Sequence, residues 1–292
     1  MAHPRSDRRD QGCIIVAVLW ILAALATLAL IYSLYVREAA FNFVTHDLHV
    51  QTEALAESGV ELAAYQLTKE PNQPPSQGSF SFRQGSALVA VNFRCENSLI
   101  DLNFAPKEVL AGFFTGIGVQ SDDALAFADR IIAWRTPLRA GDTDSEAALY
   151  AAAGKTYGPR HGPFQDPNEL GLVTGIPEAV VGRVLPYFTV YSGKAAVNVV
   201  SAPPQVLAAL PGMTPDRLQT VLDMRANASR DVLQAQLGGT NSYITVEPSR
   251  ANRITIDVKF QSGQRMNTQA VIFLTPRNAD PYRILSWHGD VP

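Results

Sequence analysis

The stretch from Gly12 to Val36, GCIIVAVLWILAALATLALIYSLYV, carries no charged residue. At about 1.5 Å per residue, a helix of the residues after the glycine is roughly 36 Å long, enough to cross a bilayer core of about 30 Å. Arg5, Arg8 and Arg9 precede the run and Arg37 alone follows it closely. That asymmetry puts the N-terminus in the cytoplasm and the remainder of the chain across the membrane. A secretory signal would have a shorter apolar region with small residues at a cleavage site behind it. Here the glycine stands before the apolar run, at the boundary between charge and hydrocarbon. Residues 1–12 therefore read as a cytoplasmic leader and 13–36 as a transmembrane helix, with a plain N-terminal anchor as the simpler alternative.

The helix is expected to continue past the membrane. From Arg37 to Glu70 there is no proline and one glycine, Gly59, among good helix formers. Leu48, Leu55, Gly59, Leu62 and Gln66 form one row, and Ala56, Val60, Ala63 and Leu67 a second. The two rows predict a single apolar stripe, with Glu53, Glu57 and Glu61 on an acidic face and Pro71 as the stop. Such a stripe needs cover, and strand-like text follows. Ser79 to Arg83 and Leu88 to Phe93 alternate about Gly85-Ser86, which predicts a hairpin and completes a segment from 37 to 100.

Past residue 100 the text turns helical and repeats itself. Ile100-Asp101-Leu102-Asn103-Phe104-Ala105-Pro106 is followed by Val109-Leu110 and Gly116-Ile117-Gly118. Val197-Asn198-Val199-Val200-Ser201-Ala202-Pro203 is followed by Val206-Leu207 and Pro211-Gly212-Met213. Each copy runs into an amphipathic stretch ending in arginine, Arg135 or Arg225. A weaker relative lies between them, with Glu169-Leu170, Val173 and Gly175-Ile176. The pattern resembles helix-hairpin-helix (SAM-like) units, whose glycines permit a tight turn between packed helices. Strands return at the end: Arg253 to Phe260, a turn at Gln261-Ser262-Gly263-Gln264, Met266 to Leu274, and a short strand from Tyr282 to Trp287. Neither strand group alone makes a stable sheet. The expected fold is therefore α+β: a long N-terminal helix on one antiparallel sheet, interrupted by an all-α insertion over 101–235, with C-terminal strands in 236–292.

The order basic leader, Gly12, apolar helix resembles the class III signal of type IV pilins and type II secretion pseudopilins. The whole chain is similar to the large minor pseudopilin K of type II secretion systems, the GspK family. The residues that carry this are the Gly12/Cys13 junction, Val18-Leu19-Trp20 and Asp101-Leu102-Asn103. Further support comes from Asp129 to Arg135, Phe164 with Glu169-Leu170, and Leu185 to Tyr191 leading into Val197-Asn198. The resemblance implies cleavage by a prepilin peptidase between Gly12 and Cys13, N-methylation at Cys13, and retention of the helix in a bacterial inner membrane. It implies assembly with minor pseudopilins of the I, J and H types and with the major pseudopilin, and contact with exported substrates or the outer-membrane secretin. Most pilin-like subunits carry glutamate at the fifth mature residue, where it pairs with a neighbour's free amine. Here that position is Ala17, which suits a subunit at the filament tip with none above it. Cys13 departs from the bulky apolar residue commoner at the mature N-terminus.

The rest of the chemistry is sparse. Asp142, Asp144 and Glu146 alternate in a loop, and the resemblance makes calcium plausible in the helical part, although EF-hand spacing is missing and a solvated acidic loop is the plainer reading. His46 and His49 lie one turn apart without a third ligand for zinc. Cys13 and Cys95 fall in different parts of the chain, so no intrachain disulfide is expected. No catalytic triad or phosphate loop can be assembled, which reads as a non-enzyme. The rival reading is a membrane-tethered helix-hairpin-helix protein of DNA uptake, or a minor pilin of a type IV pilus. The net charge is −3, and the hairpin glycines are followed by Asp122, Asp123 and Asp216, so no nucleic-acid partner is expected.

Overall fold

The computed structural model describes residues 9–69, 74–139, 141, 143–237, 242–275 and 280–289. The chain divides into two units, Met1–Ala54 and Leu55–Pro292. The described part of the first is wholly helical and forms the N-terminal portion of α1 (Arg9–Lys69). The expected stop at Pro71 lies outside the described residues.

In the second unit the last turns of α1 lead to strands β1 (Gln77–Gln84) and β2 (Ala87–Cys95), joined at Gly85, whose φ is +58°. The inserted segment follows: β3 (Ile100–Asp101), α2 (Lys107–Gly116), α3 (Ser121–Arg135), α4 (Ser145–Ala152), α5 (Glu178–Val184), β4 (Phe188–Thr189), β5 (Val197–Asn198), α6 (Pro204–Ala208), α7 (Pro215–Asn227), α8 (Arg230–Leu237) and β6 (Ile244–Thr245). The chain then returns as β7 (Ala251–Lys259), β8 (Arg265–Leu274) and β9 (Tyr282–Gly289). All five long strands form one antiparallel sheet in the order β1-β2-β7-β8-β9. β2 and β7, far apart in sequence, are hydrogen-bonded neighbours with Cys95 opposite Asn252. The inserted helices therefore leave and re-enter the sheet at one place.

Strand alternation sets which side of the sheet meets the helix. Val89, Val91, Ile254, Ile256 and Val258 are buried on one face. Gly59 of α1 lies there so closely that an added Cβ would fall 3.2 Å from Val91 and 3.3 Å from Ile256. Leu55, Ala56, Val60, Ala63, Ala64 and Leu67 are buried alongside. The predicted stripe is narrower than expected, because Leu62 and Gln66 are exposed, Leu62 by 41%. Gly59 lets the helix sit low on the sheet, so only about one side of it is covered and the edge of the first row stays in solvent. Tyr282 of β9 reaches from the sheet to Glu61, with its hydroxyl 3.4 Å from Oε1.

The inserted helices have their own core, in which Phe113, Phe114, Phe127 and Phe188 meet at tilted or edge-on angles. Trp134 stacks on Phe164 with centroids 5.7 Å apart.

Candidate functional site: an apolar anchor and an interlocked insertion

Ile15–Arg37 is the one helix among the described residues long and apolar enough to cross a membrane. Its large side chains, from Ile15 through Trp20 to Tyr35, are uncovered by the rest of the chain. Thr27 is the polar side chain in mid-run, and its hydroxyl donates back to the carbonyls of Ala23 and Ala24 at 3.0 and 2.8 Å. That satisfies the group without water, as a membrane interior demands. Ala17 is exposed on this helix. Gly12 and Cys13 lie in the first turns of α1, and His46 and His49 further along, but their side chains are outside the described ones.

The two sequence repeats fold alike. In each, a two-residue strand makes a short parallel pair: Ile100 and Asp101 with Phe188 and Thr189, Val197 and Asn198 with Ile244 and Thr245. The Asp101 carboxylate accepts from the Asn103 amide at 2.8 Å, as the Asn198 side chain does from Val200 at 2.9 Å. A proline then starts α2 or α6, and a left-handed glycine, Gly118 (φ +93°) or Gly212 (φ +76°), turns the chain into α3 or α7. The closing arginine returns to the start of its own repeat. Arg135 donates to the carbonyls of Leu102 (2.5 Å) and Ala105 (2.7 Å); Arg225 donates to those of Val199 and Ala202. Burial lowers the pKa of both guanidiniums. The copies meet at equivalent positions, for an added Cβ on Gly112 would lie 2.4 Å from the Ala209 carbonyl oxygen.

A buried polar lock joins insertion to sheet, and sequence reasoning missed it. Glu96, the first residue after β2, is fully buried and takes a two-pronged guanidinium from Arg253 of β7 at 2.7 and 3.2 Å. Thr189 of β4 donates its hydroxyl to the same carboxylate. Around it, the Asn97 side chain donates to the Glu247 carbonyl and accepts from the Ser249 amide. Asn198 donates to Ser76, and Arg230 to the Pro74 carbonyl. The Cys95 thiol lies 3.2 Å from the Ser201 hydroxyl and is pushed up to about 11, mainly by burial.

The acidic loop divides. Asp142 lies outside the described residues. Asp144 caps α4, accepting from the Ala147 amide at 2.9 Å, and faces His161 Nε2 at 2.8 Å; the amide chiefly holds its carboxyl below the usual range. Glu146 faces Arg130 at 3.3 Å. As arranged, Asp144 serves a helix cap and faces an imidazole, and Glu146 pairs with a guanidinium. No group of three His, Cys, Asp or Glu converges among the described residues.

Residues 97–193 match a family model described as Type II secretion system (T2SS), protein K. No curated protein sequence matches the chain. A solved structure, the GspK-GspI-GspJ complex from the enterotoxigenic Escherichia coli type 2 secretion system, holds a chain of the same fold. The TM-score is 0.59 at 16% identity, covering 84% of this chain and 97% of that one. The comparisons thus support the resemblance read from the sequence: in its inserted helical segment and in its fold, this chain is similar to protein K of type II secretion systems.

Proposed function

We propose that this chain is a minor pseudopilin that initiates and caps a periplasmic pseudopilus at its tip and so supports export of folded proteins across an outer membrane. The observation that carries this reading is the match of its inserted helical segment to protein K, mounted on a helix-and-sheet frame with an apolar anchor. The likeness to a chain of the GspK-GspI-GspJ complex makes minor pseudopilins of the I and J types the natural neighbours, with the H type and the major pseudopilin beyond them. The anchor would sit in a bacterial inner membrane with its N-terminus cytoplasmic. A prepilin peptidase would cut between Gly12 and Cys13 and methylate Cys13, making the chain a peptidase substrate rather than an enzyme. Ala17 supports the tip position, since it offers no carboxylate to an upper neighbour's amine. The DNA-uptake alternative finds no support in the comparisons.

Deleting the gene should leave exoproteins in the periplasm, and restoring it should release them. N-terminal sequencing of the membrane form should begin at Cys13, and Gly12→Val should leave the leader attached, because a close-fitting site needs a residue without a side chain there. Unchanged secretion in the deletion strain would refute the function; a start at Met1 or Ala2 would refute the processing.

A further inference from the structure

The face of the sheet turned away from α1 is partly covered by the insertion and otherwise open. Asp166, Leu185 and Tyr191 overhang it near Arg253, Val271 and Ser286. The strand registers set rows across the remainder. Nearest the insertion stand Gln77, Arg94 and Arg253; next come Ser79, Asn92 and Thr255; then Ser81, Ala90, Asp257 and Asn267. The far row is Arg83, Leu88, Lys259 and Arg265. Across these rows Asp257 is the one acid; Glu96, from beside the sheet, pairs directly with Arg253 and also favours the charge on Arg94. The face is therefore cationic on a chain whose net charge is −3.

Two features of this face do not serve stability. Arg94 stands directly opposite Arg253, and Lys259 directly opposite Arg265, and like charges facing each other across strands are destabilising. Arg94 is also half-buried, and no hydrogen bond or ion pair is found for its side chain among the described residues. Burial lowers its pKa, and Arg253 lowers it further. A guanidinium taken partly out of water without a hydrogen-bonded partner is held at a cost, which the Glu96 carboxylate offsets only in part. Shallow grooves lie beside both cationic rows. One of about 360 Å³ runs past Gln77, Ser79, Asn92, Arg94 and Thr255. Another of about 450 Å³ runs past Leu88, Lys259 and Arg265, with Asp257 and Asn267 at its side towards the middle rows.

We propose that this open sheet face is a docking surface for a protein segment presenting two groups of carboxylates, one over Arg94 and the other over Arg83, Lys259 and Arg265. Lys259 stands six positions beyond Arg253 along β7, so the two rows are about 20 Å apart, the length of a short extended segment. The middle rows supply the amides and hydroxyls that pair with a peptide main chain. Asp257, standing between the cationic rows, disfavours an unbroken run of phosphates and fits carboxylates grouped at the ends. The surface is on the opposite side of the sheet from α1, so it is distinct from any assembly contact made through that helix and does not rest on the proposed function.

The test uses the full chain in detergent and a fluorescent ten-residue peptide with paired glutamates at each end and serine and asparagine between. Anisotropy should show saturable binding that weakens at least tenfold when salt rises from 50 to 300 mM. Arg83→Gln/Lys259→Gln/Arg265→Gln should weaken it at least tenfold, Arg94→Gln several-fold, and Lys194→Gln on the insertion not at all. The triple variant changes exposed side chains only, so it keeps the test decisive should Arg94→Gln unfold. Three results overturn the proposal: no saturable binding at millimolar peptide, binding indifferent to the triple variant, or tighter binding of duplex DNA or phosphatidylglycerol vesicles than of the peptide.

Discussion

Glu96 is a charge with no access to water, and its neighbours make that tolerable. A buried carboxylate is stable only when its charge and lone pairs are matched, and here Arg253 and Thr189 match them. Removing one partner is expected to be worse than removing both. Glu96→Gln should lower stability by about 3 kcal/mol, the low end for a broken buried pair because Arg253 keeps 17% exposure. Glu96→Met/Arg253→Met should cost less than the single change, as denaturant melts of the full chain in detergent would reveal. Asp101 behaves differently. Burial raises its carboxyl pKa in spite of bonds from Ser192, Asn103 and Gly193. A raised carboxyl contributes stability that is fully present below the ordinary value of about 3.9 and is lost as pH rises through the folded value. The Tm deficit of Asp101→Asn should therefore be largest near pH 4 and shrink towards pH 7. The repeat explains why asparagine is the right probe: Asn198 holds the equivalent place, with its oxygen taking the same turn amide.

Among the elements, close packing decides the sign of a helix substitution. Alanine is worth about 1 kcal/mol over glycine in a helix interior. At Gly112 that gain meets a backbone carbonyl at 2.4 Å, which cannot swing aside as a side chain would. Gly112→Ala should destabilise by about 1–3 kcal/mol by forcing α2 and α6 apart. Gly116→Ala on the same helix meets nothing within 4 Å and should be neutral or mildly stabilising. Equal melting shifts for the two would contradict the packing argument. The strands were legible because alternation has a period of two and fixes a face at once: Leu88 to Phe93 and Arg253 to Phe260 were read to within a residue or two. The repeat was legible too, down to the arginine that closes each copy. What those arginines grip was not, since carbonyls leave no mark in a sequence. Nor was the Glu96–Arg253 lock, whose partners lie 157 residues apart and meet only once the register of β2 against β7 is set. The exposure of Leu62 escaped notice because periodicity gives a direction around a helix but not how deep Gly59 lets it sink. The partners of the acidic loop were not legible either: Asp144 meets the Ala147 amide and His161, and Glu146 meets Arg130, all fixed by packing rather than by spacing.

At the scale of the whole molecule, the insertion adds bulk to one face and one end of the five-stranded sheet. With Ala17, that predicts a subunit with neighbours on one side only. It should be recovered at about one copy per filament, and overproduction should shorten pseudopili by multiplying their starts. Quantitative mass spectrometry of sheared filaments would check this, and a ratio near that of the major pseudopilin would rule out a tip position. The adjacency of β2 and β7 has a further result, in time rather than space. The ribosome finishes β2 long before it begins β7, a delay of roughly ten to thirty seconds at the usual pace of synthesis. During that wait β1 and β2 are a lone hairpin, marginal in water, with the β2 edge that β7 will cover still open. The inserted segment, whose strand pairs and core close on residues that all precede β7, has leisure to fold first. The sheet is then completed by strands that arrive last, and the Glu96–Arg253 pair forms only at that closing step, so it reports that both halves of the chain have found each other.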